Sequence, residues 1–263
     1  MEESSNQTDD EQFQLRLKAS YNHFLSADVP CGITEEFLCF PMRQLHKELS
    51  EGHIKGKTLV QLTRDPVLYK LFVCCDYFEE ITVLEIRKEY SLELRKWMNK
   101  ESGALDWSHA SKYACELEGK SKCWREKEEE LRAKVKRILD CDITADPLVA
   151  PEVLPQADCL LCIWALDTLS KDHEDFRNNL RKMAALLKTG GHMAFFGAIN
   201  AKQYNVGEKT YPVLGYDEEF LRRALEDVGF VIESLETRVR GAVGDIIIYD
   251  SFVYVRALKV KEA

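Results

Sequence analysis

The chain has 263 residues, 45% of them hydrophobic and 31% charged, which suits one sizeable globular domain. With 45 Asp and Glu against 36 Lys and Arg the net charge is −9, and an acidic surface argues against nucleic acid or an anionic membrane as the main partner, since both require a basic footprint. No apolar run approaches the roughly 18 to 20 residues of a membrane span, and the polar start MEESSNQTDDEQ lacks the apolar core of a secretory signal, so a cytoplasmic protein is expected.

Residues 1–11 carry no apolar anchor and read as a disordered tail. The remainder, 12–263, reads as a single domain with a helical cap over 12–56 and a core over 57–263. Phe13, Leu17, Tyr21, Phe24 and Leu25 share one helical face. Thr34 opens a second helix that runs to about Ser50, with a kink expected at Pro41. KTLVQL is a buried strand, and PVLYKLFVCCDYF a helix with Pro66 in its first turn. EEITVLEI is the second strand, and a helix carries LELRKWM. Residues 101–123 read as mixed short helical pieces. CWREKEEELRAKVKRIL reads as one long charged helix with a solvated face, followed by the short strand end CDI. ADCLLCIWAL is a strongly apolar strand, and DFRNNLRKMAALL an amphipathic helix. The paired glycines Gly190 and Gly191 are expected to reverse the chain into the strand HMAFFGAI. DEEFLRRALEDVGF is a helix ended by Gly229; VIESLETRV and DIIIYDSFVYVRAL close the chain as a hairpin.

Strands alternating with helices imply a doubly wound, mostly parallel α/β sheet, here with an antiparallel C-terminal edge. The nine cysteines form no recurring ligand pattern, and Cys159 and Cys162 lie inside an apolar strand as core thiols. No pair of the six histidines has metal-ligand spacing.

In such a sheet, ligands bind beyond the carboxyl ends of the strands. The residues there are Thr63-Arg64-Asp65-Pro66, Glu85, Asp142-Ile143, Leu166-Asp167 and the run from Gly197 to Tyr204. Glu85 ends a strand about 20 residues past the first strand-to-helix turn, where a carboxylate accepts both hydroxyls of a ribose; a solvated strand-end acid is the competing reading. Asp142 is placed to accept an adenine amino group, or to hold a turn.

The stretches ELRKWMNKESGALDWS, YACELEG, EKEEELRAKVKRILDCDI, LPQADCLL, ALLKTGGHM and YNVGEKTY resemble the small-molecule N-methyltransferase family that includes the nicotinamide, indolethylamine (thioether) and phenylethanolamine N-methyltransferases. The similarity runs from roughly Phe24 to the C-terminus. It implies a class I methyltransferase fold using S-adenosyl-L-methionine. By the same resemblance, Tyr69 contacts the cofactor, Glu85 replaces a ribose-binding aspartate, Asp142 and Ile143 hold the adenine, Tyr204 covers the acceptor site, and Tyr21 belongs to a tyrosine cluster closing over the cofactor.

Several positions depart from that pattern. The family loop resembles I-D-I-G-S-G-P-T-I-Y, whereas this chain reads Val60-Gln61-Leu62-Thr63-Arg64-Asp65-Pro66-Val67-Leu68-Tyr69. Thr63 and Asp65 replace glycines, and Arg64 brings a cation toward a positively charged sulfonium. Leu17 and Asn22 stand at the other two tyrosine positions, and Tyr90 stands for an asparagine. Gly197 and Val213 occupy the places of an aspartate and a serine used for nicotinamide, making nicotinamide a poor acceptor.

Methyl transfer is an in-line displacement by a neutral nitrogen or sulfur, helped by proximity in a dry site. A carboxylate near the acceptor stabilises an amine's charge; Asp167 is one candidate, and a helix N-cap is its alternative role. The expectation is therefore a cytoplasmic, monomeric S-adenosyl-L-methionine-dependent methyltransferase acting on a small amine or thioether. The alternative is a catalytically inactive binding or regulatory module with a degenerate cofactor loop. A nicotinamide-dinucleotide oxidoreductase ranks below both, because the first loop has no G-x-G-x-x-G.

Overall fold

The computed structural model describes residues 21–22, 26, 34–64, 67–119, 124–206, 209–241 and 247–261. The expected tail lies outside these residues, as do Phe13, Leu17, Phe24 and Leu25 of the first helix's expected face. A π-helical turn, Glu35–Cys39, leads into α1 (Phe40–Ser50). Pro41 has no N–H to donate, and the helix accommodates it by widening the turn just before it instead of breaking. Then follow β1 (Thr58–Thr63), α2 (Leu71–Cys74), β2 (Glu80–Glu85), α3 (Lys88–Met98), α4 (Ser108–Leu117), α5 (Trp124–Lys134) and β3 (Val135–Asp140). Next come β4 (Ala157–Ile163), α6 (Leu166–Leu169), α7 (His173–Ala184), β5 (Leu187–Ile199), β6 (Gln203–Val206), β7 (Lys209–Pro212), α8 (Glu218–Asp227), β8 (Phe230–Val239), β9 (Ile247–Ile248) and β10 (Ser251–Lys259).

Seven strands form one sheet in the order β3-β2-β1-β4-β5-β10-β8. Strands β1 to β5 are parallel, while β10 runs antiparallel between β5 and β8. Alternate residues of β1 and β4 face opposite layers. Leu59, Cys159 and Leu161 pack with α1, α2 and α4, and Val60, Leu62, Leu160 and Cys162 pack with α7 and α8. Both faces of the parallel sheet are thus covered, as near-continuous apolar strands require. Burial pushes the Cys159 and Cys162 thiols up, which keeps them protonated and apolar in character.

Four expectations are corrected. The helix expected over 66–78 is α-helical only from Leu71 to Cys74, within a run of turns. The charged helix ends at Lys134, and VKRILD is strand β3, because Val135 and Ile138 are buried against the sheet. The glycine pair lies within β5: Gly190 has φ +85°, and the pairing shifts register between Ala157 and Cys159. An extra loop of backbone is absorbed there as a bulge. Finally, the closing hairpin is interrupted, since β9 leaves the main sheet to pair with β6 in a small sheet β7-β6-β9.

Candidate functional site

The carboxyl ends of β1, β2 and β4 lie side by side, with Thr63 in register with Glu85. Glu85 is 0% exposed, so the reading of a solvated strand-end acid does not hold. Its Oε1 accepts the Ile86 amide at 3.0 Å, which orients the carboxyl group at the strand tip. Thr63, at the first glycine position of the resembling loop, is itself buried. Arg64 sets its guanidinium over the Tyr204 ring, 5.6 Å from the centroid. The contact holds the guanidinium against the aromatic face of the hairpin but leaves its positive charge in place.

Three aromatic side chains link the cap to this edge. Tyr21 meets Trp107 edge-on at 5.3 Å, and Trp107 lies 6.1 Å from Tyr69. The Tyr21 hydroxyl donates to the Asp106 carbonyl, and the Tyr69 hydroxyl to the Phe37 carbonyl. Asp142 and Ile143 follow β3. The Asp142 Oδ1 accepts the Thr144 amide and hydroxyl at 2.8 and 2.7 Å, and these bonds lower the carboxyl group's pKa. The turn role of Asp142 is realised, and its exposed carboxyl group keeps a second oxygen for a donor. The Ile143 carbonyl is held by Lys182 Nζ at 2.8 Å.

Beyond the tips of β4 and β5 lies an apolar cluster. Phe37, Ala198, Ala201, Tyr249 and Phe252 form one buried cluster, with Trp164 and Val213 packed against it. Trp164 and Asn200, the first residues after β4 and β5, both take left-handed backbone, with φ +52° and +54°. Such conformations in non-glycine residues concentrate where function over-determines the backbone. The small sheet and the segment after it are tied here: the Lys202 amide donates to the Ile248 carbonyl, and the Leu214 amide to that of Asp167, at 2.9 and 2.8 Å. Tyr204 stacks on Tyr211 in the small sheet, at 5.0 Å.

Asp167 is 2% exposed. Its Oδ2 accepts the Ala198 amide at 3.0 Å and the Tyr216 hydroxyl at 3.2 Å. Ala165, not Asp167, is the N-cap of α6, so the N-cap reading is set aside. Gly197 presents no side chain because Tyr216 takes the room: a carbon built on Gly197 would overlap the Tyr216 hydroxyl.

Of the sequence candidates, Thr63 and Glu85 pair at the β1–β2 tips with Arg64 next in the chain, while Tyr69 packs against Trp107 in the neighbouring core. Gly197 lies near the end of β5 and Tyr204 on β6, and Arg64 reaches the Tyr204 ring. Tyr90 stands apart at the start of α3 under the Arg87 guanidinium, at 5.9 Å. Phe37, Trp164 and Tyr216 were missed. Phe37 and Tyr216 lie outside strand ends, so no periodicity flags them; Trp164 immediately follows an apolar strand and was legible by position.

The model of the NNMT/PNMT/TEMT family matches residues 5–260. Indolethylamine N-methyltransferase of Oryctolagus cuniculus is 38% identical over 216 residues, 82% of this chain and 81% of that protein. Phenylethanolamine N-methyltransferase of Homo sapiens is 36% identical over 76% of this chain and 72% of its own length. For nicotinamide N-methyltransferase of Sus scrofa the identity is 37%, covering 77% and 76%. Among solved structures, an S-adenosylmethionine-dependent methyltransferase from Clostridium acetobutylicum ATCC 824 aligns with TM-score 0.55 at 12% identity, covering 93% of this chain and 98% of that one. The N-methyltransferase NodS from Bradyrhizobium japonicum WM9, in complex with S-adenosyl-L-homocysteine, aligns with TM-score 0.53 at 12% identity, covering 94% and 99%. At that identity the likeness concerns the fold.

Proposed function

The chain belongs to the NNMT/PNMT/TEMT family, and from that premise we propose that it transfers a methyl group from S-adenosyl-L-methionine to the nitrogen of a small, largely apolar amine. The observation carrying this reading is the family match over residues 5–260, with a buried Glu85 at the β2 tip and an aromatic cluster beyond β4 and β5. The donor set fits the cofactor. Glu85 offers a carboxylate to ribose hydroxyls, Asp142 and Ile143 flank the place of an adenine, and Tyr69 with Thr63 and Arg64 bounds the first loop. When bound, the cofactor supplies an electrophilic methyl group. The chain's own part is to orient the acceptor and exclude water. Phe37, Trp164 and Phe252 pack on one another, two of the pairs edge-on and Phe37–Trp164 tilted, at 4.9 to 5.5 Å, which suits an aromatic acceptor. Val213 adds an apolar side chain where nicotinamide methylation uses a serine, and Gly197 removes an aspartate. Both support an acceptor other than nicotinamide.

No observation favours an inactive binding module. Titration calorimetry with S-adenosyl-L-methionine and S-adenosyl-L-homocysteine, followed by mass-spectrometric detection of methylated product across amines, thioethers and pyridines, tests the reading. Micromolar cofactor binding with methylated amine is expected; no binding of either compound at millimolar concentration overturns it.

A further inference from the structure

Glu36 lies in the π-helical turn that leads into α1, with 2% of its surface exposed. Burying a carboxylate is costly unless donors answer it, and here both oxygens are answered from the far end of the chain. Oε1 accepts the Gly241 amide, just after β8, and Oε2 accepts the hydroxyl of Tyr249, between β9 and β10. A side chain on Gly241 would begin 3.3 Å from Oε1, so a glycine there permits the approach. Burial and the Glu36 carboxylate push the Tyr249 phenol up, so it stays protonated and donates. Next in the turn is Phe37, whose ring lies 5.5 Å from Trp164 and 5.3 Å from Phe252, while the Tyr249 ring lies 4.6 Å from Phe252. Phe37 and Tyr249 belong to the same buried cluster beyond β4 and β5. The carboxylate therefore ties the backbone beside one wall residue to the side chain of another. The neighbouring Glu35–Arg238 pair, at 2.8 Å, is partly exposed and contributes little by comparison.

We propose that Glu36 is a positioning residue for the acceptor site: by binding the Tyr249 hydroxyl and the Gly241 amide at once, it holds the Phe37 ring against Trp164 and Phe252 and so sets the apolar wall on which an aromatic amine packs. This rests on the methyltransferase reading and deepens it by naming what fixes the acceptor wall. Glu36 touches no acceptor atom in this account. The Phe37 carbonyl is held separately by the Tyr69 hydroxyl, so loss of Glu36 frees the wall while the main-chain anchor on the first-loop side remains. Glutamine keeps both ties, because its carbonyl oxygen accepts the Gly241 amide and its NH₂ donates to the phenol oxygen. Alanine removes both, and Tyr249→Phe removes one while keeping the ring.

The test is calorimetric titration of 2-phenylethylamine into the full chain saturated with S-adenosyl-L-homocysteine, for the wild type, Glu36→Ala, Glu36→Gln and Tyr249→Phe. Glu36→Ala should weaken amine binding at least about tenfold and Tyr249→Phe several-fold, whereas Glu36→Gln should stay within about twofold of the wild type. Binding of S-adenosyl-L-homocysteine should change by less than about twofold in all three variants. Amide hydrogen exchange should rise over residues 35–39 in Glu36→Ala while β4 and β5 keep their protection, which separates a loosened wall from a failed fold. Unchanged amine binding in Glu36→Ala and Tyr249→Phe, or a parallel loss of amine and S-adenosyl-L-homocysteine, overturns the proposal. So does a wild-type chain that binds S-adenosyl-L-homocysteine but not the amine, and these outcomes leave the methyltransferase reading standing. Failure of S-adenosyl-L-homocysteine to bind the wild type overturns both.

Discussion

Burial pushes the Asp167 carboxyl group up to about 6, against the lowering effect of the Ala198 amide and the Tyr216 hydroxyl. The folded chain therefore holds this proton more tightly than the unfolded chain does. The stability it contributes is fully present below the ordinary value of 3.8 and is lost as pH rises through about 6. The groups facing it are the Tyr216 phenol and the Cys162 thiol, both pushed up by burial and neutral at these pH values. A shift of this size corresponds to about 3 kcal/mol. Asp167→Asn is expected to stabilise the chain by about 2 to 3 kcal/mol at pH 8 and by little at pH 4, read by urea denaturation at the two pH values. Gly197→Ala should do the reverse. The added methyl overlaps the Tyr216 hydroxyl, and overpacking of this kind costs about 1 to 3 kcal/mol, measurable as a lowered denaturation midpoint. The sequence placed Asp167 after an apolar strand, and so gave its position. Its partner Tyr216 lies 49 residues on, beyond anything periodicity reports.

Between elements, two charge clusters join the layers. Lys127 on α5 is fully enclosed, yet it pairs with Glu118 after α4 and with Asp76 after α2, the latter at 2.7 Å. Although burial alone would lower it, those carboxylates and the nearby Cys75 hold the ammonium above its ordinary value. Deleting one member strands the others, so Lys127→Ala should cost about 3 to 5 kcal/mol, whereas Lys127→Met with Glu118→Gln should recover part of the loss; denaturant titrations of the three chains decide this. At the other end of the sheet, Asp158 on β4 accepts the Lys57 and Thr58 amides at 2.7 and 3.0 Å and the Lys188 ammonium at 2.6 Å. Burial works against its charge, but these donors outweigh it and hold the carboxyl group well below its usual range. That stability is present above about 3.8 and is lost as pH falls. Asp158→Asn should therefore flatten the acid side of the stability curve. The charged run WREKEEELRAK was legible as a solvated helix, but its junction with VKRILD was not, because Lys136 and Arg137 continue the same polar pattern into an edge strand. Buried Lys127 hides in that run for the same reason: composition reports charge, not which charge is enclosed.

For the whole molecule, cofactor capture is predicted to show as stabilisation by mass action. S-adenosyl-L-homocysteine at a hundred times its dissociation constant adds about 2.7 kcal/mol, or roughly 5 to 11 °C for a domain of this size, in thermal denaturation. The alternation of strands and helices was readable throughout, and it led to the parallel sheet with its antiparallel edge. The small sheet β7-β6-β9 was not, because its strands are short and β9 is fed from the far side of β8. One consequence of the strand order concerns synthesis. The strand β10, last in the chain, fits between β5 and β8, and Lys259 is locked by its ammonium to the Ala184 and Leu187 carbonyls at 3.0 and 2.8 Å. Until Lys259 has left the ribosome, β5 offers an open, apolar edge with nothing to close it. The nascent chain is thus exposed to mispairing along that edge until β10 is made and slots in, and chaperone demand should fall once it does.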